Sequence, residues 1–412
     1  MRVDVQRRPV RVPGFRFAGV RCGLKESNKR DVALIVSDAP AAAAAAFTTN
    51  RVKAAPVLVG IERAKAGRLQ AIVVNSGNAN AYTGRNGLTM ARRMCAIVAG
   101  ELGIDERLVI PSSTGRIGVQ LPRPKIEAGV RAACGALSRD GFHAALEGIM
   151  TTDAFPKFAS EGLVIDGHEI TIAGMTKGAG MIAPRMTSTG HATNLTYVLT
   201  DAAVSVSALR RALQIALPQS FNAIVVDGDT STNDTAVLLA NGLAGNRRIT
   251  PTAGPPSAAP FPEFCGAITR VMSALARMIV KDGEGATKVI DIRVHGARTV
   301  RDATRVADTV ARSPLVKAAF FGGDPYTGRI VCAAGYSGAI FDPQKLDIYF
   351  DDVQAVRRGE EIVGKIERHA AAVVRKPEFT LTIHLHAGTA AAHRIASDLS
   401  VDYVKFNSDY RT

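Results

Sequence analysis

The chain has 412 residues, of which 47% are hydrophobic and 21% are charged, and its formal net charge is +14. This composition is ordinary for a globular protein and excludes a disordered chain or a coiled coil, and the length predicts a large core divided into two lobes. No apolar run reaches the roughly 18 residues of a membrane helix, so we expect no membrane partner.

The N-terminal segment lacks the features of an export signal. The Arg7-Arg8 pair is not followed by an apolar stretch, so the expected compartment is the cytoplasm. The five cysteines are far apart and form no CxxC pair. This pattern is typical of reduced, buried thiols rather than of disulfides or a zinc site.

The positive charge raises the question of a nucleic-acid partner. Basic residues occur in scattered pairs such as Arg92-Arg93 and Arg210-Arg211, with no long run and no interleaved aromatic side chains on which bases could stack. We therefore expect a solvated basic surface and no nucleic-acid partner.

Apolar strand-like runs alternate with helical patterns along the chain, which predicts a mixed α/β protein. The short run 71–74 leads into the polar loop 75–80, and the run 223–226 leads into the polar loop 227–234. We expect these two loops to meet at a shared site.

Later segments give clear local patterns. Apolar residues between Phe264 and Ile279 recur at helical spacing and predict an amphipathic helix that ends near Lys281. Residues 246–262 lack periodicity and predict a surface loop. Apolar and polar residues alternate from Phe379 to His386, which predicts a strand with one buried and one exposed face. Its histidines have no third ligand at usable spacing, so no metal site is expected.

The common catalytic motifs are missing from the sequence. The segment 283–288 contains glycines but lacks the spacing and the GK[ST] ending of a phosphate-binding loop. GxSxG, HExxH and GxGxxG motifs do not occur, so a conventional serine hydrolase, zinc protease or dinucleotide enzyme is not supported.

Clusters of small polar residues and glycines remain, and each alone is typical of a turn. They comprise 112–115, 151–153, 177–184, 192–194, 231–235 and 282–288. In this order they resemble the ornithine acetyltransferases of arginine biosynthesis, also called bifunctional glutamate N-acetyltransferases. The resemblance extends over nearly the whole chain, from Phe47 to Thr412.

The resemblance implies a layered α-β-β-α sandwich of the N-terminal-nucleophile-like type, without a metal or organic cofactor. It also implies self-cleavage between Ala192 and Thr193, which gives fragments 1–192 and 193–412, and assembly of two copies of each into a heterotetramer. A threonine hydroxyl is a weak nucleophile until a base removes its proton, and cleavage would create such a base in the freed α-amine of Thr193.

The implied reaction is a ping-pong transfer of acetyl from N-acetylornithine to glutamate through an ester on Thr193. Thr114 and Gly115 match the oxyanion-hole pair of the family. The implied substrate-binding residues are Thr151 or its neighbour Thr152, Lys177, Thr193, Glu284, Asn407 and Thr412. Lys177 could pair with a substrate α-carboxylate and Glu284 with the ornithine ammonium group.

The sequence departs from the family pattern just before the nucleophile, where residues 187–191 form an insertion. Counting forward from Lys177 places Ser188 at the nucleophile's position, whereas counting back from the strand 195–199 places Thr193 there, preceded by Ala192. We favour Thr193 because this count restores both the Ala-Thr pair and the strand. The longer loop leaves open whether the bond keeps a geometry suited to cleavage.

Two rival functions remain open. One is a threonine-nucleophile aminopeptidase or amidohydrolase of the same fold, in which water replaces glutamate as the acyl acceptor. The other is an uncut, non-catalytic binding homologue. No single residue decides whether acetyl-CoA is also used as an acetyl donor, an activity of some family members, or whether arginine inhibits the protein.

Overall fold

The computed structural model describes residues 3–5, 10–187, 194–251 and 260–409. These residues form two compact units, one made of residues within 3–222 and 229–279 and the other of 223–228 and 280–409. The boundary between the units therefore does not coincide with the Ala192–Thr193 bond. No helix in the described ranges is both long enough and apolar enough to cross a membrane.

The described elements are a mixture of strands and helices. The strands are β1 (Asp4–Val5), β2 (Phe15–Val20), β3 (Val32–Thr48), β4 (Arg68–Asn78), β5 (Val109–Arg116), β6 (Lys157–Ile165), β7 (His168–Lys177), β8 (Met186–Thr187), β9 (Leu195–Thr200), β10 (Ile224–Val225), β11 (Thr235–Ala240), β12 (Val289–Ala297), β13 (Asp347–Phe350), β14 (Val353–Arg357), β15 (Glu360–Glu361), β16 (Glu378–His384) and β17 (Ala390–Ser397). The α-helices are α1 (Ala55–Ala64), α2 (Gly84–Leu102), α3 (Arg123–Gly135), α4 (Phe142–Ile149), α5 (Val206–Ala216), α6 (Pro260–Lys281), α7 (Val300–Arg312), α8 (Pro314–Gly322), α9 (Thr327–Gly335), α10 (Lys365–Val374) and α11 (Val401–Asp409).

The first unit contains a sheet of ten described strands, with the order β1-β6-β7-β9-β11-β3-β4-β5 and with β2 and β8 paired to β3. Strand β3 is apolar at successive positions because both of its faces are buried. Ala33 and Ile35 join a core that includes residues of α1 and α4, whereas Val32 and Leu34 join a core with α2 and α3. Helices therefore cover both faces of this part of the sheet.

Strand β9 follows the proposed cleavage bond and is central to this sheet. It pairs with β7 on one side and with β11 on the other, and β11 pairs with β3. Strands β3 and β7 belong to the segment 1–192, and β9 and β11 belong to the segment 193–412. Cleavage at the proposed bond would therefore leave the two fragments joined by the hydrogen bonds of one sheet.

The second unit contains a sheet with the order β10-β17-β12-β16-β13-β14-β15. Its core joins this sheet to residues of helices α7 to α10. In β16, Phe379, Leu381 and Ile383 are buried and the residues between them are half-buried, so the predicted alternating strand is confirmed, although it ends at His384.

The predicted fold class, a layered α/β protein, is confirmed: each unit is a sheet with helices packed on it. The predicted amphipathic helix is α6, and a Cβ added to Gly174 of β7 would come within 2.7 Å of its Leu275 side chain. All five cysteines are free. Cys22 is half-buried and Cys332 is exposed, which corrects the prediction of buried thiols; at Cys332 the reason is that α9 buries other positions, such as Ile330 and Ala333.

Candidate active site

The two polar loops that follow predicted strands do meet in the first unit. Asn75 lies near the end of β4, where its Oδ1 accepts a 2.6 Å hydrogen bond from Ser113 Oγ and its Nδ2 donates to the Asn78 carbonyl. Asn233, from the later loop, donates from Nδ2 to the carbonyls of Ala79 (2.5 Å) and Ser113 (2.8 Å). One buried amide therefore fixes the ends of β4 and β5 against the loop before β11.

The predicted oxyanion pair, Thr114 and Gly115, lies at the end of β5. Gly115 has a φ of +128°, and a Cβ at this position would lie 2.4 Å from the carbonyl carbon of Gly77. The backbones of β4 and β5 therefore approach so closely here that only glycine fits. Lys177, at the end of β7, donates from Nζ to Thr114 Oγ1 over 3.2 Å, so the structure brings these three predicted residues together.

A buried carboxylate that sequence reasoning treated as part of a turn organises this region. Asp153 Oδ1 accepts from Lys157 Nζ (2.6 Å) and from the backbone N–H of Gly178 (2.8 Å), and Oδ2 accepts from the N–H of Thr151 (2.8 Å). The side chains of Asp153 and Lys157 have no exposed surface. Asp153 thus ties Thr151 to the residue that follows Lys177.

The ionisation of Asp153 is controlled by its neighbours. Burial opposes the charged form, but the Lys157 and Lys177 ammonium groups and the hydrogen bonds from Lys157 and Gly178 outweigh it and hold the pKa of Asp153 well below its usual value. The carboxylate is therefore charged at neutral pH. The sequence signal that could have identified it is an acid and a base four residues apart beside two phenylalanines.

The second unit brings Glu284 and Asn407 together. Glu284 lies in the loop before β12 and is 9% exposed, and Asn407 of α11 donates from Nδ2 to Glu284 Oε2 over 3.2 Å. Gly285 has a φ of +66°, and a Cβ there would lie 2.4 Å from the backbone nitrogen of Tyr403. The first turn of α11 therefore packs directly on the loop that carries Glu284.

A second carboxylate missed by sequence reasoning fixes the same loop. Asp398 is 3% exposed, and its Oδ1 accepts from the N–H groups of Thr287 (2.8 Å) and Lys288 (3.0 Å). Its Oδ2 accepts from Thr287 Oγ1. Because Asp398 lies between β17 and α11, it links the loop of Glu284 to the start of the helix that carries Asn407.

The remaining predicted residues differ in what can be said of them. Thr151 is half-buried, and its position is fixed through Asp153. Ala192, Thr193 and Thr412 lie outside the described residues, as do Ser188 and most of the insertion 187–191. Of the predicted residues, the structure therefore groups the oxyanion pair with Lys177 in the first unit and, separately, Glu284 with Asn407 in the second.

Comparison with known proteins identifies the family. The ArgJ family model matches residues 16–412. The arginine biosynthesis bifunctional protein ArgJ of Geobacter sulfurreducens is 49% identical over 401 residues, which cover 97% of this chain and 100% of the relative. The protein of the same name from Symbiobacterium thermophilum is 50% identical, with 97% of each chain covered.

Solved structures include the ornithine acetyltransferase of Mycobacterium tuberculosis complexed with ornithine. It is 38% identical, with a TM-score of 0.42, and the match covers 45% of this chain and 100% of that chain. The family model and the two bacterial relatives confirm the resemblance inferred from the sequence. The chain belongs to the ArgJ family.

Proposed function

We propose that this chain moves the acetyl group of N2-acetylornithine to glutamate through an acetyl ester of Thr193, after cutting itself between Ala192 and Thr193. Membership of the ArgJ family supports the broader assignment, an ornithine acetyltransferase of arginine biosynthesis. The observation that carries the finer proposal is the cluster of buried Thr114, half-buried Gly115 and buried Lys177, which lies where β7 pairs with the start of β9.

The register of the sheet supports Thr193 as the nucleophile. Lys177 of β7 pairs with Leu195 of β9. Thr193 precedes Leu195 by two residues, and two residues of chain span at most about 7 Å. Leu195, two residues after Thr193 in the sequence, therefore lies beside Lys177, which in turn contacts Thr114 of the oxyanion pair, and this neighbourhood supports Thr193 as the nucleophile.

The proposed chemistry has two balanced halves. The freed α-amine of Thr193 takes the hydroxyl proton while the oxygen attacks the acetyl carbonyl of N2-acetylornithine. Thr114 and Gly115 stabilise the negative charge on the carbonyl oxygen. The C–N bond then breaks, ornithine leaves with the proton on its amine, and the acetyl group stays on Thr193. The amine of glutamate attacks this ester, and the steps reverse to release N-acetylglutamate.

Charge complementarity supports the assignment of the binding residues. Lys177 offers an ammonium group to the α-carboxylate that both substrates carry. Glu284 is buried beside a neutral amide, Asn407, and suits the side-chain ammonium of ornithine. Thr151 and Thr412 complete the proposed set. We also propose that the fragments 1–192 and 193–412 assemble as a heterotetramer with two copies of each, and that acetyl-CoA serves as a second acetyl donor.

The proposal is tested by incubating the purified protein with N2-acetylornithine and glutamate and measuring N-acetylglutamate. We expect acetyl transfer with the parallel-line kinetics of a ping-pong mechanism. Hydrolysis of peptides without acetyl transfer would instead assign the chain to the amidohydrolases. An uncut chain that neither transfers acetyl nor hydrolyses peptides would indicate a non-catalytic homologue.

Replacing Asp398 with alanine is expected to weaken substrate binding through the loop of Glu284. The variant leaves the N–H groups of Thr287 and Lys288 without their acceptor, and the loss of such hydrogen bonds costs about 1–3 kcal/mol. We expect the KM for N2-acetylornithine to rise about tenfold with a smaller change in kcat. Steady-state kinetics provide the measurement, and an unchanged KM would contradict the role of Asp398.

Asp402 provides the matched control, because it is an exposed carboxylate in the first turn of α11, four residues from Asp398. Asp402→Ala should leave the KM within about twofold of the parent value, since exposed charges at a helix N-terminus contribute only about 0.3–1 kcal/mol. Equal effects of the two substitutions would point to general disturbance of α11.

Removing residues 407–412 is expected to raise the KM for N2-acetylornithine, because both Asn407 and Thr412 are proposed ligands. Asn407→Ala should account for part of the rise, since it removes the amide that contacts Glu284. The neighbouring variant Ser408→Ala is the control, because Ser408 is exposed and its Oγ donates to the Lys405 carbonyl of its own helix. Normal kinetics of the truncated chain would exclude the C-terminus from the site.

A further inference from the structure

We propose that Lys25 binds the side-chain carboxylate of the acceptor glutamate and so helps to determine which amino acid receives the acetyl group. This inference rests on the proposed function, and it adds a residue that neither the sequence analysis nor the family motifs placed in the site. It depends on where the segment between β2 and β3 lies relative to Gly77, Gly115 and Lys177.

A buried carboxylate holds the segment of Lys25 in place. Asp31 has no exposed surface, and its Oδ1 accepts from the N–H of Cys22 over 2.6 Å. Its Oδ2 accepts from the N–H groups of Leu24 (2.7 Å) and Lys25 (3.2 Å). Three backbone hydrogen bonds to one carboxylate fix the direction in which the Lys25 side chain leaves the backbone.

The stem of Lys25 packs on the backbone beside the oxyanion pair. A Cβ added to Gly77 would lie 3.2 Å from Lys25 Cγ, so the side chain runs over this glycine. Gly77 pairs with Gly115, and the two backbones are close enough that a Cβ on Gly115 would lie 2.4 Å from Gly77. Lys25 is thus separated from the predicted oxyanion residue by a single glycine.

The ammonium group of Lys25 shares its surroundings with the groups at the predicted site. Burial lowers the pKa of Lys25 to about 8, while Asp31 and Asp153 favour its charged form and Lys177 and Lys29 oppose it. Among the described residues, Nζ donates to the Arg30 carbonyl at 2.5 Å and forms no ion pair within 4.0 Å. A carboxylate entering this space would give the Lys25 ammonium group a direct ion-pair partner.

Glutamate and N2-acetylornithine differ in whether the side chain can bind the Lys25 ammonium group. Both carry an α-carboxylate, for which Lys177 is the proposed partner. Glutamate carries a further carboxylate at the end of its side chain, whereas the ornithine side chain ends in an ammonium group. Glu284 suits the ammonium and would repel the carboxylate, so a dicarboxylate acceptor needs another cation, and Lys25 is placed to provide it.

The test compares Lys25→Met with Lys29→Met. Methionine keeps an unbranched stem that can pack on Gly77 but removes the charge. Lys29 is an exposed lysine of the same segment and serves as the matched control. We expect Lys25→Met to raise the KM for glutamate at least tenfold and to leave the KM for N2-acetylornithine within twofold. Lys29→Met should change neither value.

Glutamine supplies the second readout, because it replaces the side-chain carboxylate of glutamate with an amide. In Lys25→Met the preference for glutamate over glutamine, measured as the ratio of kcat/KM values, should fall about tenfold. An equal rise in the KM values for glutamate and glutamine, or an unchanged preference for glutamate over glutamine, would overturn the assignment.

Calorimetric titration of glutamate separates this inference from the proposed function. If the parent protein does not transfer acetyl in the N-acetylglutamate assay, the proposed function fails, but glutamate binding can still be measured by calorimetry. Weaker glutamate binding to Lys25→Met than to the parent and to Lys29→Met would still support Lys25 as a carboxylate ligand. Equal binding to all three proteins, or no binding to any of them, would overturn it.

Discussion

Thr193→Ala is expected to yield a single uncut chain without acetyl transfer. The substitution removes the proposed nucleophile of both cleavage and catalysis, and it leaves no free α-amine to act as the base. Loss of a catalytic nucleophile lowers kcat by about ten-thousandfold or more. Denaturing electrophoresis and the N-acetylglutamate assay provide the two readouts.

Two further variants separate the alternative alignments of the insertion. Thr193→Ser keeps a hydroxyl and should still be cut, with part of the activity retained. Ser188→Ala removes the hydroxyl that the forward count from Lys177 places at the nucleophile's position, and it should behave like the parent. Loss of cleavage in Ser188→Ala together with normal cleavage in Thr193→Ala would show that the nucleophile is a serine.

Asp153→Ala is expected to destabilise the first unit strongly. It leaves the Lys157 ammonium buried without its carboxylate partner, and breaking a buried ion pair in this way costs about 3–5 kcal/mol. It also removes the acceptor of the Thr151 and Gly178 N–H groups, so any folded variant should bind substrate poorly. Chemical denaturation measures the first effect and steady-state kinetics the second.

Asp140→Ala is the control, because Asp140 pairs with Arg11 at the surface, where such pairs contribute about 0–1 kcal/mol. The double variant Asp153→Leu/Lys157→Met removes both buried charges and should recover much of the lost stability. Stability of Asp153→Ala equal to that of Asp140→Ala would contradict the role of the buried pair.

The pH dependence of stability gives a separate check on Asp153. Its pKa is held below the usual value in the folded chain, so its contribution is present above its unfolded pKa of about 3.9 and is lost as the pH falls towards the folded pKa. The parent should therefore lose stability in acid more steeply than Asp153→Ala. Parallel acid profiles would contradict a charged Asp153.

The sequence indicated those parts of the site whose signals are local. The loops after β4 and before β11 were predicted to meet because each follows an apolar run, and the Asn233 hydrogen bonds confirm this. Helix α6 and strand β16 followed from periodicity alone. The prediction that Cys332 is buried was wrong, because cysteine spacing carries no information on which face of α9 is buried.

The local Asp153–Lys157 pair left a signal in the sequence, but the long-range contacts of the supporting carboxylates could not be predicted, because those partners are distant in the sequence. Asp153 is 25 residues from Gly178, and Asp398 is 111 residues from Thr287. The neighbourhood of Lys25 and Gly77 depends likewise on how β2, β3 and β4 pair. Such contacts follow from the register of the sheets, which no local pattern encodes.

The places where the chain divides into two compact units could not be predicted from the sequence either. The family resemblance placed a cut after residue 192, yet the compact units divide near residues 222 and 279. Strands β9 and β11 explain the difference, because they insert residues of the segment 193–412 into the sheet of the segment 1–192. The proposed cut and the unit boundaries therefore fall at different places in the chain.

Intact mass spectrometry of the purified protein, incubated with N2-acetylornithine without glutamate and then denatured, tests the central claim most directly. The account predicts two fragments of roughly 20 and 23 kDa, in proportion to the 43.4 kDa chain, with the larger starting at Thr193 and carrying one acetyl group. A single unmodified chain of 43.4 kDa would contradict it.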